Sequence, residues 1–372
     1  MKPVTLAIKR IDAIPVALPL IKPMTLARTR ITQALSMLVR IEARNGAVGW
    51  GEAACMPTAT GENLRTIQSA LSSSIVPYLL GKDAGSQAQL IARLARRAAL
   101  SRAALSAADM ALADLTGHAH NLPVSELLGG RLHETLVPMW LLGGATVEAD
   151  VAEARRQMRA GYRFFKIKVG AKPLAGSIDT INALRHALGA QVKLCADANM
   201  GLTPREASRF VRGIAGAGLL YFEQPFAKDQ VQAMTRLARA SKVPVGVDES
   251  VVSVPDIVAH YRAAAAQGVA IKSIALGSLA AAVGAAAVAN ALGMAVNISA
   301  KIAESSIGAA ALLHVASVID DASWGVSPTN CYLAADVART PIAPARGRIA
   351  VPQGPGLGVE IDAAAVKRFR IR

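Results

Sequence analysis

Phe165-Lys166-Ile167-Lys168-Val169-Gly170 is the first of five short stretches in which a strand-like apolar run carries lysine or carboxylate side chains. The other four are Leu-Cys-Ala-Asp-Ala-Asn at 194–199, Tyr-Phe-Glu-Gln-Pro at 221–225, Val-Gly-Val-Asp-Glu at 245–249 and Ile-Lys-Ser at 271–273. Their charged residues follow one another at intervals of about 24 to 29, which is close to the length of one strand, one helix and two short loops. The spacing predicts a repeated βα pattern whose strands bring their carboxyl ends to one face of a closed barrel.

The lysines of these stretches are candidate acid/base groups. Lys166 and Lys168 are two residues apart on a strand, so both side chains leave the same face. Two ammonium groups held close together near a divalent metal lower the pKa of at least one of them, and such a lysine can act as a general base. Lys272 approaches the same point from the side opposite Lys168. The structural alternatives are an exposed strand edge for the first pair and, for Lys272, an ion pair with Glu249 or another acid.

Three carboxylates, Asp197, Glu223 and Asp248, end three consecutive apolar runs. A carboxylate at a buried strand end is costly unless it is paired or bound to a cation. Convergent oxygen ligands of this kind fit Mg²⁺, whereas separate helix N-caps would explain one such residue but not three. Asn199 and Glu249 lie just beyond ligand positions and are predicted to orient the ligands.

Composition narrows the class of protein. The chain has 372 residues, of which 52% are hydrophobic and 4% aromatic, which excludes disorder. Its three cysteines lack zinc-site spacing and are predicted to be free thiols in a reducing compartment. The net charge of +15 is spread along helix faces, so it predicts attraction of anionic substrates and no nucleic-acid site. We expect no membrane segment and a cytoplasmic location, because no long uninterrupted apolar run or signal-type N-terminus occurs.

The first part of the chain differs from the βα pattern. Alternating residues predict antiparallel strands over 8–18 and 34–43, with a loop over 19–29 between them. A second loop is predicted over 56–63, and helical periodicity follows at 63–80, 86–98 and 101–117.

The rest of the chain completes the βα pattern and then leaves it. Further strands are predicted at 138–141, at 295–298 and near 323–325, with a helix at 147–160. We predict an α/β fold with a βα barrel over 126–334. An α+β domain over 1–125 would be completed by the C-terminal return 335–372, since a closed barrel has no edge for the tail.

Taken together, these segments resemble the enolase superfamily, and within it the muconate lactonizing enzyme subgroup of the mandelate racemase/muconate lactonizing enzyme family. The Lys-x-Lys pair, Asp-Ala-Asn, Glu-Gln-Pro, Asp-Glu-Ser and Lys272 stand in family order, and Gly129-Gly130 and the glycine-rich 354–358 also match. The resemblance covers nearly the whole chain. It implies a modified TIM (β/α) barrel under a capping domain, and a homo-oligomer.

The resemblance also implies roles for individual residues. Asp197, Glu223 and Asp248 would hold Mg²⁺, which Mn²⁺ can replace. Lys168 and Lys272, with Lys166 beside them, would act on opposite faces of a small carboxylate through a metal-stabilised enolate. Enolase-type sites are a standing example of this chemistry.

Several reactions share this site, and the sequence features that separate them conflict. Residues 294–298 contain no His and Lys272 is present, which disfavours the mandelate-racemase branch. The loop 19–27, with Ile21 and Met24, and the pair Trp324-Gly325 resemble muconate cycloisomerases. However, Ser327 stands where those enzymes carry a Glu.

Two further segments do not support the muconate cycloisomerase branch specifically. The loop 58–62, which follows Met56, looks more like that of dipeptide epimerases, although their Asp-x-Asp pair near the barrel end is missing here. The stretch 303–308 is common to several branches. Within it, Glu304 either reaches the substrate or caps the following helix.

The sequence therefore predicts a Mg²⁺-dependent lyase or isomerase that acts at the α-carbon of a carboxylate. Muconate cycloisomerase-type lactonisation is the first choice. The alternatives are a racemase or epimerase of an N-acylamino acid or dipeptide, and an acid dehydratase. A barrel that keeps these residues but serves only as a binding or assembly protein is the non-enzymatic alternative.

Overall fold

The structure is a computed structural model that describes residues 5–26, 29–57, 60–97, 101–144, 146–170 and 172–371. Ala27 of the first predicted substrate loop and Thr58 and Ala59 of the second lie outside the described residues. Within these ranges, no helix combines the length and apolarity that a membrane crossing requires. The three cysteines are free thiols, as predicted.

An antiparallel sheet of three strands forms the N-terminal part: β1 (Ile8–Leu26), β2 (Thr29–Ala43) and β3 (Val48–Ala54), in the order β1-β2-β3. The predicted loop over 19–29 is wrong, because β1 continues to Leu26 and pairs with β2 almost to the turn. Pro19 and Pro23 suggested a loop, but β1 is an edge strand, and its register shifts between Pro19 and Met24. An edge strand with an irregular register tolerates residues that lack a backbone N–H.

Helices pack on one face of this sheet. They are α1 (Leu64–Ala70), a π-helical turn (Leu71–Ile75), α2 (Val76–Leu79), a 3₁₀ turn (Ala84–Ser86), α3 (Gln87–Ala95), α4 (Arg102–His120) and α5 (Val124–Leu127). The central helix, α4, is buried along almost its whole length. A Cβ at Gly51 of β3 would meet the carbonyl group of Ala107, so glycine lets α4 approach the sheet closely.

After the short strand β4 (Thr135–Leu136), eight parallel strands form one sheet in chain order. They are β5 (Trp140–Leu142), β6 (Phe164–Lys168), β7 (Lys193–Asp197), β8 (Phe222–Glu223), β9 (Val245–Val247), β10 (Gly268–Ile271), β11 (Ala295–Ser299) and β12 (Val326–Ser327). A parallel bridge between Pro138 and Val326 joins the last strand to the chain just before the first, which closes the ring.

Helices follow the strands around the outside of the ring. They are α6 (Val147–Arg159), α7 (Leu174–Leu188), α8 (Pro204–Gly213), α9 (Val231–Ala240), α10 (Val254–Arg262), α11 (Ser273–Leu276), α12 (Leu279–Ala291) and α13 (Ser306–Ser317). The predicted fold, a modified (β/α) barrel under an α+β cap, is confirmed.

The last barrel strand begins later than predicted, at Val326 and not near 323–325. Trp324 precedes the strand, and its ring packs in the barrel interior. It stacks on Tyr221 with ring centroids 4.0 Å apart. A Cβ at Gly246 would lie 2.6 Å from the Trp324 ring, so the glycine of β9 leaves room for it. The tryptophan therefore closes the end of the barrel away from the strands' carboxyl ends.

The C-terminal tail returns to the N-terminal sheet. The backbone N–H of Ala334 donates to the carbonyl of Pro19 at 2.8 Å, and that of Ile371 donates to Pro15 at 3.0 Å. The tail also contains β13 (Ile349–Ala350), which pairs with β4, and α14 (Ala363–Phe369). These contacts agree with a cap that the tail completes, while the domain limits after residues 125 and 334 stay predictions.

A buried carboxylate joins the cap to a barrel helix. Glu52 of β3 accepts hydrogen bonds from the backbone N–H of Ser305 at 2.9 Å, from the Ser305 hydroxyl at 2.6 Å and from the N–H of Gly308 at 3.2 Å. The hydroxyl of Ser36 donates to its other oxygen at 2.8 Å. Glu52 thus satisfies free N–H groups at the start of α13, where the helix dipole also favours an acid.

A second buried acid links the cap to the barrel, and it gives a pH-dependent prediction. Asp109 of α4 accepts from the Gln87 side chain and from the backbone N–H of Leu279, each at 2.7 Å. Burial raises its pKa from 3.8 to about 6. Between these values the folded chain binds more protons than the unfolded chain, so this group's contribution to the free energy of unfolding falls as the pH rises.

We therefore expect Asp109→Asn to remove this slope, because the amide can still accept from Leu279 but carries no charge. From pH 4.5 to 7.5, the stability of the variant relative to the native chain should rise by about 2 kcal/mol. Urea unfolding of both chains at several pH values measures this change in relative stability. A difference between the two chains that does not vary with pH would contradict the prediction.

Candidate active site

A cavity of about 130 Å³ lies at the carboxyl ends of the barrel strands. Most of the predicted site residues line it together: Lys166, Lys168, Asp197, Asn199, Glu223, Asp248, Glu249, Lys272, Met56 and Ser327. The convergence follows from the barrel, because all of these residues except Met56, which comes from the cap, lie on the barrel strands or within two residues of their carboxyl ends. Asp197 and Glu223, for example, are partners in the register of β7 and β8.

Each of the three predicted metal ligands binds one of the predicted catalytic lysines. Lys166 Nζ donates to both carboxylate oxygens of Glu223, at 2.8 and 3.0 Å. Lys168 Nζ donates to Asp197 Oδ2 at 2.5 Å. Lys272 forms an ion pair with Asp248. The site therefore consists of alternating positive and negative groups, all largely buried.

The carboxylates interact strongly because they are buried so close together. Burial, and to a lesser extent the negative charges of Asp197 and Asp248, raises the pKa of Glu223 to about 8 despite the attraction of Lys166. Burial also opposes ionisation of Asp197, but Lys168 and Lys166 outweigh it and lower its pKa to about 2. Because Lys166 Nζ contacts both oxygens of Glu223, the ion pair supports the charged carboxylate against the effect of burial.

The pKa is raised for two of the site lysines. Burial disfavours the charged form of Lys166 and of Lys272. The carboxylates Glu223 and Asp248, respectively, outweigh burial and raise the pKa of each lysine. The sequence predicts a lowered pKa for at least one of Lys166 and Lys168 from their like charges beside a divalent metal, and for the metal-bound site this stays a prediction.

Asn199 and Glu249 connect these pairs. The Asn199 amide oxygen accepts from Lys168 Nζ at 2.7 Å, and its amide nitrogen donates to Glu249 Oε1 at 2.9 Å. The backbone N–H of Asn199 also donates to Asp197 Oδ1 at 2.8 Å. Asn199 therefore holds Lys168 and Asp197 in one arrangement, as the sequence predicts for a supporting residue.

Gln224 is a positioning residue that sequence reasoning did not identify. Its side-chain oxygen accepts from the backbone N–H of Asp248 at 2.8 Å, and its amide nitrogen donates to Ser250 at 2.8 Å. It thereby fixes the loop that carries Asp248. The motif Glu-Gln-Pro was the available signal, but only its glutamate was interpreted.

The donor chemistry of the site fits Mg²⁺. Asp197, Glu223 and Asp248 supply hard oxygen ligands, and Glu249 Oε2 is buried without a hydrogen-bond partner in the described part of the chain. As these side chains stand, no three His, Cys, Asp or Glu residues in the described ranges are arranged to hold a metal ion. In this arrangement, a lysine ammonium group contacts each of the three carboxylates.

Of the opposite wall of the cavity, only Ser327 was predicted. The wall is formed by residues 299–302 and 327–329, at and after the ends of β11 and β12. The hydroxyl of Thr329 donates to the carbonyl of Lys301 at 2.6 Å and accepts from the N–H of Glu304 at 3.1 Å. The carboxylate of Glu304 accepts from the N–H of Lys301 at 2.8 Å. These bonds tie the two loops into one surface.

Glu304 does not cap the helix that follows. The N-cap of α13 is Ser305, whose hydroxyl accepts from the N–H of Ile307 at 3.2 Å. Glu304 instead lies buried behind the cavity wall, and burial followed by the charge of Glu52 raises its pKa to about 8. The helix-cap alternative is therefore wrong, and contact with substrate is not established by this placement.

Ile21 and Met24, like Glu304, are predicted site residues that the structure does not place on the cavity. Because β1 extends through this segment, Ile21 points outward with 64% of its surface exposed. Met24 packs, partly buried, against the main core. Their role in substrate selection stays a prediction.

Two family models match the chain. The model described as Enolase C-terminal domain-like matches residues 149–365, which include every predicted lysine and carboxylate. The model described as Mandelate racemase / muconate lactonizing enzyme, N-terminal domain matches residues 10–129. This chain belongs to the enolase superfamily.

Individual relatives place this enolase-superfamily enzyme in the muconate lactonizing enzyme subgroup. A chloromuconate cycloisomerase of Cupriavidus pinatubonensis is 31% identical over 95% of this chain and 96% of its own length. An L-Ala-D/L-Glu epimerase of Bacillus subtilis is also 31% identical, over 96% of this chain and 98% of its own.

Among solved structures, muconate lactonizing enzyme from Pseudomonas fluorescens in complex with muconolactone superposes with a TM-score of 0.95. It is 29% identical to this chain, and the match covers 99% of this chain and 100% of the other. The recognition made from the sequence motifs is thus confirmed, and the chain is an enolase-superfamily isomerase or lyase.

Proposed function

We propose that this enzyme is a Mg²⁺-dependent cycloisomerase that lactonises a muconate-like dicarboxylate. The observation that carries the proposal is the position of Lys168 and Lys272. They stand on the second and sixth strands of an eight-stranded ring, so they face each other across the cavity. An α-carbon held between them is accessible to an acid/base group from either side. The likeness to cycloisomerases over almost the whole chain supports this substrate class.

In the proposed reaction, one carboxylate oxygen of the substrate adds to a carbon of a double bond and forms the ring C–O bond. The electron pair of that double bond moves toward the α-carbon of the other carboxylate, where the Lys168 ammonium delivers a proton. Asn199 keeps Lys168 in place, and Lys166 holds Glu223. Mg²⁺ bound to Asp197, Glu223 and Asp248 would neutralise negative charge on the substrate carboxylate. The substrate dianion thus gains one proton, which Lys168 recovers from solvent, and the lactone is an isomer of the singly protonated substrate.

The second candidate is racemisation or epimerisation of an N-acylamino acid or dipeptide. One lysine would remove the α-proton and the other would return one to the opposite face, which the same pair of lysines permits. The similarity to the Bacillus subtilis epimerase is as high as that to the cycloisomerase. In addition, Ser327 replaces the Glu that muconate cycloisomerases carry near the barrel end, which weakens the first candidate.

A ¹H NMR assay in D₂O distinguishes the two functions. The Mg²⁺-loaded enzyme would be mixed in turn with muconates, N-acylamino acids, dipeptides and sugar acids. We expect lactone signals from a muconate, at a rate that falls to background in EDTA. Deuterium at the α-carbon of an amino-acid derivative with an unchanged skeleton would instead establish the racemase or epimerase. Turnover of neither class would contradict both.

A further inference from the structure

Lys301 also lines the cavity, and it lies apart from the three predicted site lysines, Lys166, Lys168 and Lys272. It follows β11, the seventh strand of the ring, whereas Asp197 ends the third strand. In a closed ring of eight strands, the third and seventh strands face each other. Lys301 therefore stands across the cavity from Asp197, on the wall that also carries Thr329.

The backbone around Lys301 is firmly held. Its N–H donates to Glu304 at 2.8 Å, its carbonyl accepts from Thr329 at 2.6 Å, and the neighbouring N–H of Ala300 donates to the carbonyl of Ser327 at 3.1 Å. The side chain therefore projects from a loop that is fixed on both sides. A cation on such a loop can set the position of a bound group.

Unlike the three predicted site lysines, Lys301 forms no ion pair with a carboxylate in the described part of the chain. Lys166, Lys168 and Lys272 each form an ion pair with a carboxylate. Over the ranges that the structure describes, Lys301 Nζ forms no ion pair within 4.0 Å. Because an unpaired charge that is mostly buried is costly, this position favours an anionic ligand.

The nearest acids are already engaged or tend to be neutral. Glu304 uses one oxygen for the backbone N–H of Lys301, and burial favours its protonated form. Glu52 is occupied by Ser305, Gly308 and Ser36. Burial lowers the pKa of Lys301 in spite of these neighbours, which agrees with an ammonium group whose loss of hydration is not offset by a nearby negative charge.

We propose that Lys301 is a specificity-determining residue that binds a second anionic group of the substrate, on the cavity wall that faces Asp197 in the predicted ligand set of Asp197, Glu223 and Asp248. This inference rests on the proposed function, because it assumes that one carboxylate of the substrate binds near those three residues. The α-carbon then lies between Lys168 and Lys272, and the far end of the molecule meets Lys301. The enzyme would accordingly prefer dianionic substrates to singly charged ones.

Binding measurements on the Mg²⁺-loaded enzyme test the proposal. The probes are succinate, glutarate and adipate, each compared with its own monoamide, which has nearly the same shape but one charge fewer. We expect the wild type to bind the best diacid at least about tenfold more tightly than its monoamide. Lys301→Met should raise the Kd of that diacid by about 10- to 100-fold and change the Kd of the monoamide less than twofold. Lys301→Arg should restore most of the preference.

Two controls separate a binding role from a structural one. Lys193→Met removes an exposed lysine at the opposite end of β7 and should leave both affinities unchanged. The melting temperature and the Mg²⁺ affinity of Lys301→Met should match those of the wild type. Equal weakening of diacid and monoamide would overturn the proposal, and so would a wild type without preference for diacids.

These measurements do not require turnover, so they are independent of the reaction assay. A preference for diacids that depends on Lys301, in an enzyme that does not lactonise muconates, would sustain this inference while the proposed function fails. Muconate lactonisation with the same kcat and KM in Lys301→Met would sustain the function and overturn the inference.

Discussion

Lys168→Ala is expected to lower kcat by about 10³- to 10⁴-fold, whichever reaction the enzyme performs, because both candidate reactions move a proton at the α-carbon. Lys168 lies on the cavity and is held by Asp197 and Asn199, so its ammonium group has a defined position. Alanine removes that group, and a neighbouring water would replace it without the same orientation. The measurement is the ¹H NMR assay with the best substrate, read as product formation and as α-proton exchange.

The matched control is Lys193→Ala, on the exposed start of the next strand. It removes the same charge far from the cavity and should retain wild-type kcat. Residual turnover above about a tenth of the wild-type rate in Lys168→Ala would contradict the assignment of Lys168 as the acid/base group. Unchanged Mg²⁺ binding in the variant would show that the loss concerns the proton transfer and not the fold.

Removal of the divalent cation is expected to have an effect of similar size. EDTA should reduce turnover to background, and added Mg²⁺ or Mn²⁺ should restore it. Asp197→Asn should weaken Mg²⁺ binding by about 100-fold, because an ionised ligand becomes a neutral one in a buried site. Its pKa is low, so the native carboxylate is charged throughout the neutral range. Isothermal titration of Mg²⁺ measures the affinity directly.

Asp179→Asn serves as the comparison, since Asp179 is exposed on α7 and distant from the strand ends. It should bind Mg²⁺ as the wild type does. If Asp197→Asn also bound the ion with unchanged affinity, Asp197 would not be a ligand, and the ion pair with Lys168 would be its main role.

The strands of the barrel could be predicted from the sequence because each combines two signals. Lys168, Asp197, Glu223 and Asp248 are charges at the ends of apolar runs, and their nearly equal spacing reflects one repeated structural unit. A local pattern and a long-range rhythm agree at these positions. That agreement made the fold and the convergence of these side chains predictable without any knowledge of the packing.

Other features depended on context that a single strand does not contain. Prolines 19 and 23 predict a loop by local preference, and only the position of β1 at the sheet edge shows why they fit a strand. The sequence around Trp324 predicts a strand, yet the residue lies before the strand and its ring stacks on Tyr221 inside the barrel. Local propensity was overruled by the position of each residue in the sheet or barrel.

The electrostatic properties of the site were the least predictable. The lysine pKa values depend on which carboxylate each ammonium group contacts, and those contacts form only when neighbouring strands align. Lys301 lies outside the five motif stretches, and the residues around it in the sequence do not indicate a role for it. Its importance becomes visible only when the ring closes and places it opposite Asp197.

The bond network of Glu52 has a consequence for how such enzymes diversify. The carboxylate comes from the cap, but the helix it holds begins directly after the loop of Lys301 and Glu304. The two parts of the chain therefore share one anchoring point beside the cavity and are not interchangeable modules. A cap transplanted from a relative would therefore need a carboxylate at the position of Glu52 to hold the start of this barrel helix.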